Sequence, residues 1–175
     1  MSKTSHKFQE KMELTYEQYF HARYDGIVQM ARELERVLGR EKAFDIIKKD
    51  SEKLAVENVK RQMAKRKPFK RFEDFVAFLE ESDRSPFWSH VLTLTYPEKT
   101  PKKLVYRVTE CLWAKTFKEL NATDLGYLMI CHPDFAMAQA CHPKIKLERT
   151  ETLMQGDNYC DHTYYWGRMN NKKER

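Results

Sequence analysis

Apolar residues recur at helical spacing through the N-terminal half of the chain and alternate at strand spacing in much of the rest. Thr15-Tyr-Glu-Gln18 has the spacing of a capping box, and a stripe follows it: Tyr16, Tyr19, Phe20, Tyr24, Ile27, Val28, Ala31, Leu34, Val37 and Leu38. Gly39 is placed to end that helix. A second helix is predicted over 41–65, with Phe44, Ile47, Leu54, Ala55, Val59 and Met63 inward and Pro68 as its stop. A third, over 72–81, carries Phe75, Phe78 and Leu79.

The period changes after Pro86. Residues 91–96 and 104–110 alternate and flank a loop of Pro, Lys and Thr, which predicts an antiparallel hairpin. Residues 111–120 return to helical spacing, Asp124 is placed to cap a helix through 129, and Pro133 tolerates a first turn ahead of a helix over 134–140. Residues 145–153 then alternate strictly, Gly156-Asp157-Asn158 signals a turn, and 159–166 reads as a closing strand. The expected fold is α+β: a helical N-terminal half, then two β-hairpins forming a four-stranded antiparallel sheet with helices packed on one face. One domain spans 1–175, with a flexible leader over 1–13 and a frayed tail over 168–175.

The 175-residue composition, with 41% hydrophobic and 33% charged residues, suits a core and an ordinary aqueous surface. No apolar run reaches the ~20 residues of a membrane span, and the polar start lacks a secretory signal, so the cytoplasm is the expected compartment. Its four cysteines, Cys111, Cys131, Cys141 and Cys160, are then expected as free thiols. Lys60, Arg61, Lys65, Arg66, Lys67, Lys70 and Arg71 concentrate much of the +6 net charge. They suit the negative pole of a helix better than nucleic acid, since no recognised nucleic-acid module follows.

Three groups of residues bear chemistry. Cys111 falls where strand gives way to helix, a position that lowers a thiol pKa, with Lys115 one turn on; the bland alternative is a packed thiol. Cys131-His132-Pro133 and Cys141-His142-Pro143 repeat a Cys-His pair, but their spacing matches no common chelating loop. We therefore expect no cofactor, with zinc as the alternative. On the closing strand Cys160, His162 and Tyr164 share one face while Asp161 points to the other. A thiol beside an imidazole is the minimum for an activated nucleophile, and Arg149 on the neighbouring strand is placed to clamp a carboxylate. Arg149 pairing with Glu151 or Glu110, and Asp161 fixing the turn, is the structural alternative.

The segments VTECLWAKTFKEL, DLGYLMICHPDFAMA and IKLERTETLMQGDNYCDHTYYW resemble the L-2-amino-thiazoline-4-carboxylic acid hydrolase family. Arg149, Thr150, Thr152, Gly156, Asp157, Cys160 and Asp161 carry the most specific block. The family often has a second cysteine where Tyr159 stands, and commonly an aromatic where His162 stands. The resemblance implies a small-molecule substrate and hydrolysis of a cyclic amidine-like ring at a C–N bond. On that footing Cys111 or Cys160 is the nucleophile, or the ligand of a metal-activated water. His132 or His162 moves protons, Asp134 or Asp161 orients the imidazole, and Arg149, Thr150, Thr152 and Trp113 contact substrate. The order of elements is also similar to the small-molecule-binding domain related to bacterial vinyl reductases, which implies a non-enzymatic sensor or accessory role. Oligomeric state is left open.

Overall fold

The computed structural model describes residues 11–167, so most of the expected leader and all of the expected tail lie outside the described residues. Helix α1 (Tyr16–Leu38) starts at the capping box: the Gln18 N–H donates to Thr15 Oγ1 at 3.1 Å, and the Thr15 N–H donates to Gln18 Oε1 at 3.0 Å. It ends at Gly39, whose φ of 80° lets the chain turn at once into α2 (Arg40–Met63). The two helices pack side by side and bury Phe20, Tyr24, Val28, Ala31, Ala43, Ile47 and Val59. Leu54, Ile27 and Val37, expected inward, are exposed. Their positions fall outside the arc that the rest of the fold covers.

Helix α3 (Phe72–Asp83) is followed by a short α4 (Pro86–Val91), which the change of period after Pro86 concealed. Strands β1 (Leu92–Lys99) and β2 (Lys103–Cys111) form the expected hairpin, with register breaks between Thr93 and Leu94 and between Thr95 and Glu98. Helices α5 (Leu112–Glu119) and α6 (Thr123–Gly126) follow. Asp124 lies inside the first turn of α6 rather than capping it, and its carboxylate accepts from Arg32 at 2.7 Å and Arg40 at 2.8 Å. The chain continues through a π-helical turn (Tyr127–Cys131) into α7 (Asp134–Cys141).

Strand β3 (Ile145–Glu148) is half as long as the alternation predicted, and a 3-10 turn (Leu153–Gln155) stands where its end was expected. Strand β4 (Cys160–Trp166) completes a fully antiparallel sheet of order β1-β2-β4-β3. Period-two alternation puts Leu104, Tyr106, Val108, Cys160, His162, Ile145 and Leu147 on one buried face. Residues of α3 and α7 pack on that face: Phe72, Phe75 and Val76 with Ala138 meet Leu104, Ile145 and Leu147. A second cluster joins α1, α2, α5 and α6 through Phe20, Tyr24, Ile47, Phe117 and Leu125.

Gly126 marks where the second cluster is tightest. A Cβ there would lie 2.6 Å from both Met154 Sδ and Phe117 Cγ. Phe117 has no exposed surface and cannot retreat. Gly126→Ala should therefore destabilise the protein by ~1–3 kcal/mol, although alanine favours helix. Urea unfolding measures it, and a gain in stability would show that the contact yields.

Candidate active site

The functional side chains converge where the helical cluster meets the sheet, around the guanidinium of Arg149. Its side chain is only 1% exposed. Arg149 Nη1 donates to Asp134 Oδ2 at 2.6 Å and lies 3.1 Å from His162 Nε2, while Nη2 donates to the Cys131 carbonyl at 2.9 Å. The rings of Tyr127 and Phe135 flank the cation at 5.8 and 5.1 Å. Burial alone would lower the arginine's pKa, but Asp134 and its other partners raise it, so the charge is held.

Each partner is delivered by a local feature of the chain. In the π-turn the His132 N–H donates back to the Tyr127 carbonyl at 2.8 Å, and the helix breaks at Pro133, which has no N–H. The Cys131 carbonyl is thus left for Arg149, and Tyr127 and Cys131 face the same cation from the two ends of one turn. Asp134 opens α7. Arg149 is fixed by its neighbours: Asp161 accepts from the Thr150 N–H at 2.9 Å, the Glu151 N–H at 2.6 Å and Thr150 Oγ1 at 2.7 Å. Burial pushes the Asp161 carboxyl up, yet these hydrogen bonds together hold it below its usual value.

Asp161 is accordingly the clamp of the loop after β3, and its hydrogen bonds go to that loop rather than to an imidazole. Asp161→Ala should cost ~1–2 kcal/mol in thermal unfolding, since backbone donors lose a charged acceptor. Unchanged stability would dismiss the clamp.

Cys131 and Cys160 lie close enough to feel the cation, and Cys111 lies close to Cys160. Cys111 joins the helical cluster to the sheet cluster that contains Cys160, and Cys131 belongs to the helical cluster. The backbone N–H groups of Trp113 and Ala114, at the start of α5, lie near the Cys111 sulfur and favour its thiolate, but neither makes a hydrogen bond to it. The expected lowering does not result: burial outweighs those donors and pushes the thiol up to about 11. Burial likewise raises Cys131 and Cys160, with the Asp134 carboxylate adding to each. The Leu153 N–H donates to Cys160 Sγ at 3.3 Å. Cys141 stands apart at the end of α7, also raised to about 11 by burial. All four are free thiols. Because only the thiolate alkylates, iodoacetamide at pH 7.5 should modify these cysteines on the order of 100-fold slower than free cysteine, with the rate rising well above pH 9. Fast labelling at neutral pH would contradict this electrostatic picture.

His132 also lies at the site, but its partner was not visible in the sequence. Its Nε2 is 2.6 Å from Glu52 Oε1 of α2, and its ring neighbours Tyr127 and Phe135, the same two rings that flank Arg149. The other residues expected to contact substrate have different partners. Trp113 Nε1 donates to the Tyr24 hydroxyl at 2.9 Å, and its ring packs on Phe20. Thr150 serves Asp161, and buried Thr152 caps the 3-10 turn through the Gln155 N–H. Arg149 directs three of its five N–H groups at Asp134, His162 and the Cys131 carbonyl, and its side chain is buried. His142 of the second Cys-His-Pro stacks on Trp166 at 4.5 Å. Among the described residues, no three His, Cys, Asp or Glu side chains converge in a way that would hold a metal ion.

A cleft of about 410 Å³ opens beside this cluster between α2, the π-turn and the 3-10 turn, with Phe44, Leu128, Met154 and Tyr127 in its wall. Tyr127 thus separates the cleft from Arg149. Asp134 remains 28% exposed, which gives the buried cluster an outlet to solvent.

The α+β fold thus gathers thiols, an imidazole and a carboxylate near one buried cation beside an antiparallel sheet. Residues 16–164 match the profile of the L-2-amino-thiazoline-4-carboxylic acid hydrolase family, and the chain belongs to that family. No curated protein matches it. No helix among the described residues is long and apolar enough to cross a membrane.

Proposed function

We propose that this protein is a hydrolase that opens a small cyclic amidine-like ring such as 2-aminothiazoline-4-carboxylate, by cleaving the ring C–N bond. The observation that supports this reading is the gathering of Cys111, Asp134, Arg149, Cys160 and His162 at one partly open site in a member of this family. Cys111 is the nucleophile. It keeps some exposed surface and stands at the start of α5, whereas Cys160 is buried and accepts from the Leu153 N–H.

The Cys111 sulfur attacks the ring carbon between sulfur and nitrogen, and the thiol proton passes by way of Asp134 to the ring nitrogen. The C–N bond breaks as the exocyclic amino group gives one proton to the departing nitrogen, which leaves as an amine, and the carbon remains bonded to both sulfurs and to a C=NH group. Water then adds to that carbon, Cys111 departs as the thiol, and the product is an S-carbamoyl amino acid with a free amine. Arg149 holds Asp134 in place throughout. Free thiols suit a reducing compartment such as the cytoplasm.

The raised thiols also favour a second reading, in which the site binds a small ring acid without turning it over. Incubating the protein with 2-aminothiazoline-4-carboxylate and following ring loss and product mass separates the two. Ring loss with an S-carbamoyl product and no new free thiol is the expected result. A new free thiol would show C–S cleavage instead, and saturable binding without turnover would replace the hydrolase by the binding module.

A further inference from the structure

His162 sits on the central strand β4 with its ring buried, opposite Tyr106 on β2 and parallel to Tyr164. Its two nitrogens have very different surroundings. Nε2 is 3.1 Å from Arg149 Nη1 and 3.4 Å from Asp134 Oδ2. Nδ1 is buried and has no hydrogen-bond partner among the described residues.

A guanidinium can only donate. Nη1 has two hydrogens: one goes to Asp134 Oδ2, and the other points at the nearer nitrogen, Nε2. Nε2 must then supply the lone pair, and the ring hydrogen resides on Nδ1. A hydrogen on Nε2 would oppose the arginine's across 3.1 Å in exchange for a longer contact with Asp134. A buried donor without an acceptor is costly, and folded proteins keep few of them. Cys160 precedes His162 by two residues on the same strand face, so the imidazole and that thiol project from the same side of β4.

We infer that His162 is a catalytic hydrogen-bond donor rather than a base: Arg149 fixes its tautomer, and the Nδ1 hydrogen is reserved for the ring nitrogen of the bound cyclic amidine, adjacent to the carbon under attack. The donor polarises the bond that breaks and steadies charge as it collects on the departing nitrogen, while the transferred proton comes from the thiol by way of Asp134. Preorganised donors of this kind are worth ~10²–10³-fold in rate. The assignment rests on the ring-opening reading for its substrate, but not for its tautomer.

Two substitutions separate the donor from the arginine's partner. His162→Gln places a carbonyl near the position of Nε2, retaining Arg149, but has no donor at Nδ1. His162→Asn places an amide N–H near Nδ1 and gives up the arginine contact. With 2-aminothiazoline-4-carboxylate as substrate, His162→Gln should lose ~10²–10³-fold in kcat with little change in KM. His162→Asn should retain at least tenfold more kcat than His162→Gln. The reverse order would assign His162 the purely structural task of holding Arg149 and overturn the inference. Nitrogen-15 NMR of the wild-type imidazole, in the free protein and without substrate, reads the tautomer directly. Hydrogen on Nδ1 supports the inference even where no turnover is found, and hydrogen on Nε2 ends it even where turnover is brisk.

Discussion

Arg149→Met is expected to destabilise the protein by ~3–5 kcal/mol and to abolish ring opening. The loss follows from what the guanidinium leaves behind: the Asp134 carboxylate, the Cys131 carbonyl and His162 Nε2 all lose their donor at once. Methionine fills much of the space and supplies no hydrogen. Arg149→Lys should recover little, because a single ammonium cannot reproduce the forked contacts to α7, β4 and the π-turn. Arg149→Met combined with Asp134→Leu should regain a large part of the stability, since replacing both ions removes the orphaned charge, but should remain inactive. Urea unfolding of the three variants measures this. A loss below ~1 kcal/mol for Arg149→Met would mean that solvent reaches the guanidinium far more readily than its 1% exposure implies.

Cys111→Ser is the second large effect, a fall in kcat of ~1000-fold or more with the fold intact. A hydroxyl fits the volume, but it is a far poorer nucleophile at neutral pH. Cys160→Ser should be milder, because that sulfur's bond to the Leu153 N–H can be taken over by oxygen. If both variants turn over like the wild type, the sulfur does not attack and water must do so. Asp134 would then be the base that activates it.

Much of the architecture was legible because local rules and tertiary packing agree. The Thr15 capping box, Gly39 and the first hairpin stand where the sequence puts them. The strict alternation over 145–153 misled, since a period-two pattern cannot reveal that a side chain on another strand will take the backbone donors. Asp161 captures the N–H groups of Thr150 and Glu151, so the ladder stops at Glu148. The shared face of Cys160 and His162 could be counted off the strand. Glu52 could not be found, because it lies on a solvated helix 80 positions from His132 and only the packing of α2 on the π-turn brings it near. The thiol of Cys111 shows a third kind of miss. Its place at a helix start was visible, but the depth of its burial, which reverses the pKa shift, is a property of the assembled core.

The strand order has a consequence for how the molecule comes into being. Strand β4 lies between β2 and β3, yet both neighbours precede it in the chain. While synthesis has not yet reached Cys160, β2 and β3 have no strand to join them, Asp161 is not there to set the loop that carries Arg149, and the site lacks both Cys160 and His162. A ribosome-bound chain can complete its helical hairpin and first β-hairpin early, but its chemistry switches on only when one late segment zips into the gap. Any nascent or clipped product that stops short of β4 therefore leaves strand edges open, which makes it a target for chaperones and proteases.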